Sequence, residues 1–182
     1  MLKGAGYKTA MYGKWHVGES PERQPQMQGF DEFWGILSTS LPTDPTDRDI
    51  QTMGVPMQQI LAAKVGTKAE QGGQMTLERR GLIDHEITDK AVAYIKANST
   101  GQQPFFLYVP FINPHHPVVA HPNFKGKSGG GTYSDVLMEI DHNTGRVMDA
   151  IKDAGIDDNT IVVWLSDNGP TRYSLLPYEN GD

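Results

Sequence analysis

The chain has 182 residues, a formal net charge of −6 and no cysteine. It is long enough for one domain with a sizeable core, and it can hold no disulfide, thiolate metal site or cysteine nucleophile. Lysine and arginine occur as isolated pairs such as Arg79-Arg80 rather than in clusters, which argues against a nucleic-acid partner.

Taken in chain order, Tyr7 to Trp15 is the first run that reads as a buried strand, ending on a polar Gly-Lys-Trp-His turn. From 38 to 82 the pattern dissolves into proline, glycine and glutamine, and a surface excursion without extended regular structure is predicted. Ile83, Ile87, Ala91, Tyr94 and Ile95 then fall on one face of a helix. Phe105 to Phe111 reads as a second strand. Gly129-Gly130-Gly131 reads as a flexible link, because no strand precedes it as a phosphate loop requires. Val136, Leu137, Ile140, Thr144, Val147, Met148 and Ile151 predict a longer helix, Gly155 its C-terminal cap, and Asp157-Asp158-Asn159 a turn. Thr160 to Leu165 is read as a third buried strand. Such runs suit strands covered on both faces, so the expected fold class is α/β, a mostly parallel sheet flanked by helices. No apolar run approaches the roughly 20 residues that span a bilayer.

Each predicted strand delivers polar groups at its C-terminal end, where open α/β sheets bind ligands. The first gives Lys14 and His16, the second Asn113, His115 and His116, the third Asp167 and Asn168. Extended backbone would point Lys14 and His16 to the same side, where an ammonium and an imidazole could bind an oxyanion. Asp167 and Asn168 are hard oxygen donors suited to calcium or magnesium; Asn168-Gly169 also reads as an ordinary turn. His115-His116, held between Pro114 and Pro117, could instead be a zinc pair, although no third soft ligand lies near in sequence. His85, His121 and His142 read as structural or surface residues.

These residues stand in specific motifs. Gly6-Tyr7-Lys8-Thr9-Ala10-Met11-Tyr12-Gly13-Lys14-Trp15-His16-Val17-Gly18 resembles the second sulfatase signature, Gly-Tyr-x-Thr-x-x-x-Gly-Lys-x-His-x-Gly, at every fixed position. Gly29 to Gly35 resembles the segment that follows it in that family. Phe105 to Tyr108 with Pro114-His115-His116-Pro117 resembles the family's strand and His-x-Pro loop, and Ser166-Asp167-Asn168-Gly169-Pro170 its metal-binding Asp-Asn-Gly motif. Asp141 stands where the family usually has a structural aspartate. The resemblance implies an alkaline-phosphatase-like α/β sandwich and hydrolysis of sulfate esters. It implies a formylglycine nucleophile and a Ca2+ ion. Lys14 would bind sulfate and the nucleophile, His16 would contact the nucleophile, and His115 rather than His116 would bind sulfate and assist the leaving oxygen. Asp167 and Asn168 would be metal ligands. The substrate would be a sulfated small molecule or glycan, and the compartment periplasmic or secreted.

The sequence also departs from the family pattern. It has neither Cys-x-Pro-Ser-Arg nor Ser-x-Pro-x-Arg, no adjacent aspartate pair for calcium, and no lysine after the Asp-Asn-Gly segment. Residues 1–182 are therefore expected to be a partial catalytic domain truncated at both ends, inactive alone and weak in calcium binding. Two rivals stand beside this reading: a phosphatase or phosphonate hydrolase of the same superfamily, and a non-catalytic module that binds sulfated glycans.

Overall fold

The computed structural model describes residues 1–39, 41–44, 46 and 48–170, with no side-chain description at 48–50. Five strands form one sheet in the order β4-β3-β2-β1-β5: β1 (Lys8–Lys14), β2 (Glu32–Ile36), β3 (Gln59–Lys64), β4 (Glu70–Gln74) and β5 (Phe105–Tyr108). The helices are α1 (Arg48–Met53), α2 (Leu77–Arg80), α3 (Ile83–Asn98) and α4 (Thr132–Asp153). β1 pairs in parallel with β2 and with β5, and β3 runs antiparallel to both β2 and β4. The fold is α/β as expected, with a parallel half and an antiparallel half.

Five consecutive residues of β1 are buried, because successive side chains alternate between two covered faces. Ala10 and Tyr12 pack with Ile83, Ile87, Ala91 and Tyr94 of α3. On the other face Met11 packs with Phe33, Leu37 and Ala63. All five apolar positions assigned to α3 are buried.

Three expectations are corrected. The 38–82 excursion is not irregular: it supplies α1, α2 and the β3–β4 hairpin, which extends the sheet beyond β2. Ile60 and Met75, both fully buried, anchor that hairpin. β4 itself, Glu-Gln-Gly-Gly-Gln, is wholly exposed and carries no apolar alternation to read. Thr160 to Leu165 is not a strand, and Ile161, Val163, Trp164 and Leu165 are well exposed. No described strand pairs with the segment, so its apolar composition finds neither a hydrogen-bonded neighbour nor a covering layer. In α4 the stripe is rotated. Leu137 and Met148 are exposed, whereas Asp135, Glu139 and Asn143 are buried.

Hydrogen bonds explain the rotation. Asp135 accepts from the backbone N–H groups of Gly126 and Ser128 at 2.7 and 2.9 Å and from the Ser128 hydroxyl at 2.6 Å, and Glu139 accepts from His121 N–H at 2.9 Å. Buried backbone donors need such partners, and turning these acids inward turns Leu137 out. The same bonds flank the Gly129-Gly130-Gly131 link, and Gly130 N–H donates to the Ser128 hydroxyl. Asp141, given a structural role by resemblance, lies exposed. The end of α4 follows expectation: Gly155 and Ile156 N–H bond back to Lys152 and Ile151 carbonyls, the Schellman pattern. Asp157–Asn159 then forms a 3-10 turn.

Candidate oxyanion site

The parallel half of the sheet gathers three chain segments at the carboxyl end of β1. Lys14 is the last residue of β1, and its N–H donates to Pro110 O at 3.0 Å. Beyond it, Trp15 and His16 continue toward the segment after β2, donating to Ile36 O and Leu37 O at 2.9 and 2.7 Å. His16 has φ +55, a left-handed conformation uncommon for a side chain with a Cβ. The backbone is thus not extended there, which corrects the period-two argument for Lys14 and His16. What joins them is proximity to His115, whose imidazole feels the charges of both.

His115 lies in the loop after β5. Its Nδ1 is 2.6 Å from the His116 carbonyl and its Nε2 is 3.1 Å from Thr39 Oγ1. A carbonyl only accepts, so Nδ1 carries the proton, and in the neutral ring Nε2 accepts from the Thr39 hydroxyl. Partial burial pushes the His115 pKa down, the bond to His116 O opposes this, and Lys14, Arg80 and His16 push it further down. The Lys14 ammonium is likewise held below its ordinary range by burial, with Asp167 opposing and Arg80 reinforcing. Lys14, His16, His115 and Asp167 therefore share one electrostatic neighbourhood. Asn168 is exposed beside Asp167, and its backbone carbonyl accepts from the Ser166 hydroxyl at 2.6 Å. Asn113 is set apart: it is buried, donates to Val119 O at 3.3 Å, and serves the loop rather than the site.

Three residues escaped sequence reasoning. Thr39 meets His115 from the start of the 38–82 excursion. Arg80 and Asp84 lie beneath the His115 loop, 2% and 1% exposed. Arg80 donates to the carbonyls of Ile112, His115 and Pro117 at 3.2, 2.5 and 3.0 Å, and Asp84 accepts from Ile112 and Asn113 N–H at 2.8 and 3.0 Å. Their only sequence signal was Arg79-Arg80, which read as an isolated basic pair.

The histidines set aside as structural do form a cluster. His85 stacks on His121 with ring centroids 3.9 Å apart, and His142 and Phe124 lie at 6.1 and 5.8 Å from His85. Glu139 Oε1 is 3.6 Å from His85 Nε2. Burial pushes the Glu139 pKa up to about 7 and holds His85 down to about 4. Among the described residues, no group of three or more His, Cys, Asp or Glu is arranged to hold a metal ion. The cluster instead shapes stability. A carboxyl whose pKa rises on folding contributes stability below its unfolded pKa that is lost as pH climbs through the folded value. For Glu139 that window runs from 4.5 to about 7. His85 acts oppositely, losing its contribution as pH falls from 6.5 to about 4. Glu139→Gln should therefore gain stability relative to wild type across the Glu139 window, by at most about 3 kcal/mol at 1.36 kcal/mol per unit. Urea melts at several pH values check this; parallel profiles for the two proteins would contradict it.

The comparisons with known proteins agree with the motifs. A family model described as Sulfatase matches residues 1–181. The N-acetylgalactosamine-6-sulfatase of Canis lupus familiaris is 33% identical over 189 residues, covering 100% of this chain and 34% of its own length. Arylsulfatase A of Homo sapiens is 33% identical over 184 residues, with 93% and 34% covered. Among solved structures, the PsFucS1 sulfatase from Pseudoalteromonas sp. superposes with a TM-score of 0.74 at 28% identity, covering 85% of this chain and 34% of that one. The chain thus spans about a third of the length of these relatives. With a family model spanning 1–181, likeness to a curated sulfatase over the whole of this chain and the same fold, the chain belongs to the sulfatase family.

Proposed function

We propose that this chain carries part of the site of a sulfuric ester hydrolase, in which Lys14 and His115 bind the sulfate group. The observation that supports the reading is that His115 feels the charges of Lys14 and His16, and Lys14 that of Asp167, around the carboxyl end of β1. Sulfuryl transfer places negative charge on peripheral and leaving oxygens, and fixed cations and donors stabilise it. Lys14 supplies a point charge. His115, with Nδ1 committed to the His116 carbonyl, presents Nε2 to the leaving oxygen; once Nε2 is also protonated, the imidazolium donates to the sulfate and can deliver that proton. His16, whose charge His115 feels, would contact the attacking group as a second imidazole.

Asp167 and Asn168 offer a carboxylate and an amide oxygen, the donor chemistry that calcium takes. They fit that ion as part of a ligand set and would hold it next to the sulfate. Calcium would supply Lewis-acid polarisation of the ester, and a formylglycine the attacking hydroxyl. No formylglycine precursor lies in these 182 residues, which contain neither Cys-x-Pro-Ser-Arg nor Ser-x-Pro-x-Arg. Alone, then, the chain binds the oxyanion without turning over the ester. The relatives' names point to a sulfated sugar as substrate, and a secreted or periplasmic setting fits such a glycan; no described helix is long and apolar enough to cross a membrane.

The test is a sodium sulfate titration of the 182-residue chain, followed by the imidazole resonances of His16 and His115. Both should shift together and saturate. Lys14→Gln should weaken binding about tenfold, the loss of one charged hydrogen bond. Shifts confined to His85, His121 and His142, or an unchanged affinity in Lys14→Gln, would overturn the assignment. Inorganic phosphate, run in parallel, should bind more weakly; a clear preference for it would favour a phosphatase.

A further inference from the structure

The loop from Ile112 to Pro117 carries His115, and five of its backbone polar groups end on two side chains. The carbonyls of Ile112, His115 and Pro117 accept from the Arg80 guanidinium. The N–H groups of Ile112 and Asn113 donate to the Asp84 carboxylate. Arg80 closes α2 and Asp84 sits in the first turn of α3, so the loop is held by the helical layer rather than by the sheet. Pro114 and Pro117 have no N–H to offer, which leaves few other ways of fixing the chain there.

Stability is a poor reason for such a pair. Burying two opposite charges roughly breaks even against well-packed apolar replacements, because desolvation offsets their attraction. The guanidinium gives something an apolar side chain lacks: a rigid planar fork with several donors at fixed angles. One of its acceptors is the His115 carbonyl itself. With that carbonyl fixed, and with His115 Nδ1 bonded to the His116 carbonyl, the imidazole can turn only so as to keep Nε2 toward Thr39 Oγ1. The guanidinium also places a permanent positive charge beneath Lys14 and His115, both of which feel it.

We propose that Arg80 is a positioning residue for His115, holding its imidazole aimed at the bound oxyanion and adding a buried positive charge behind the site, with Asp84 keeping Arg80 in place. This rests on the oxyanion-site reading above. Arg80 touches neither the ester nor the ion; it acts through the loop.

The experiment separates fork from charge. Arg80→Lys keeps the charge, but one ammonium cannot serve three carbonyls in their fixed directions; Arg80→Met removes both. Each variant is first compared with wild type by amide dispersion and urea midpoint, then titrated with sodium sulfate and with pH while the histidine rings are followed. In Arg80→Lys the sulfate response of His115 should weaken at least tenfold while that of His16 persists, and the titration midpoint of His115 should stay in place. In Arg80→Met that midpoint should rise. A third measurement needs no variant: the Arg80 Nε–H resonance of wild type should move with sulfate, saturating together with the His115 ring. Arg80→Lys binding sulfate within twofold of wild type, with the same His115 response, overturns the role of Arg80 alone. So does an Arg80 Nε–H signal indifferent to sulfate, even if both variants unfold. A wild-type chain in which sulfate moves neither His16 nor His115 overturns the oxyanion site and this proposal with it.

Discussion

Alanine at Gly35 is expected to abolish the native fold. Gly13 of β1 and Gly35 of β2 are register partners, and the strands approach so closely that a Cβ on Gly35 would stand 1.9 Å from the Gly13 carbonyl oxygen. Gly35 also has φ +149, outside the range that L side chains favour. The atom it would strike is backbone, so no side chain can swing aside, and relief requires parting β1 from β2. These are the two strands whose ends carry Lys14 and lead to Thr39. The cost should exceed about 5 kcal/mol, the upper end of single-substitution effects and comparable with the whole stability of a domain. Far-UV circular dichroism and urea unfolding check it, with Gly145→Ala as control. Nothing lies within 4 Å of a Cβ at Gly145, inside α4, and alanine there should stabilise by roughly 0.5–1 kcal/mol through helix propensity. A Gly35→Ala protein with the wild-type midpoint would mean that the β1–β2 pairing is wrong.

The second large effect is expected at Asp84. Asp84→Asn keeps the shape, yet removes the negative charge facing Arg80 and presents an amide donor where two backbone N–H groups need acceptors. The two charges attract through space, and removing one strands the other in the interior, at a cost of about 3–5 kcal/mol. Burial pushes the Asp84 pKa up, and the Ile112 N–H, the Arg80 charge and the Asn113 N–H oppose it; the substitution discards all of that compensation. The diagnostic is the double variant. Arg80→Met should cost clearly less in the Asp84→Asn background than in wild type, since the stranded charge is then gone. Additive losses in urea melts would show that the two residues act separately.

Much of the fold was legible because β1 and α3 each bury a face whose period the sequence displays. Ala10, Met11 and Tyr12 form a run, and Ile83, Ile87, Ala91 and Tyr94 form a helical stripe. β4 was illegible for the opposite reason: exposed glycine and glutamine form a strand there only because β3 offers a ladder edge. In α4 the apolar stripe misled, because Asp135 and Glu139 are drawn inward by backbone N–H groups that no pattern announces. Thr160 to Leu165 shows that an apolar run is not a strand without a partner to pair with. At the proposed site, Lys14, His16, His115, Asp167 and Asn168 were the candidates because motif spacing puts each at the end of a run. Thr39, Arg80 and Asp84 were not. Their importance lies in what they touch across 76, 35 and 28 residues of chain, and single-sequence spacing holds no record of such contacts.

Thr39 and Arg80 stand near the two ends of the 38–82 excursion, and both hydrogen-bond to His115, one to its ring and the other to its carbonyl. The excursion is therefore tied to one residue at both ends, while between them β3 pairs with β2 and Ile60 and Met75 are buried. The entropy of closing a loop grows only logarithmically with its length, by about 0.6 kcal/mol per doubling. The exposed β3–β4 turn, residues 65–68, can lengthen or change its decoration at little cost to the geometry at His115. That turn is free to diversify while Thr39 and Arg80 keep hold of His115.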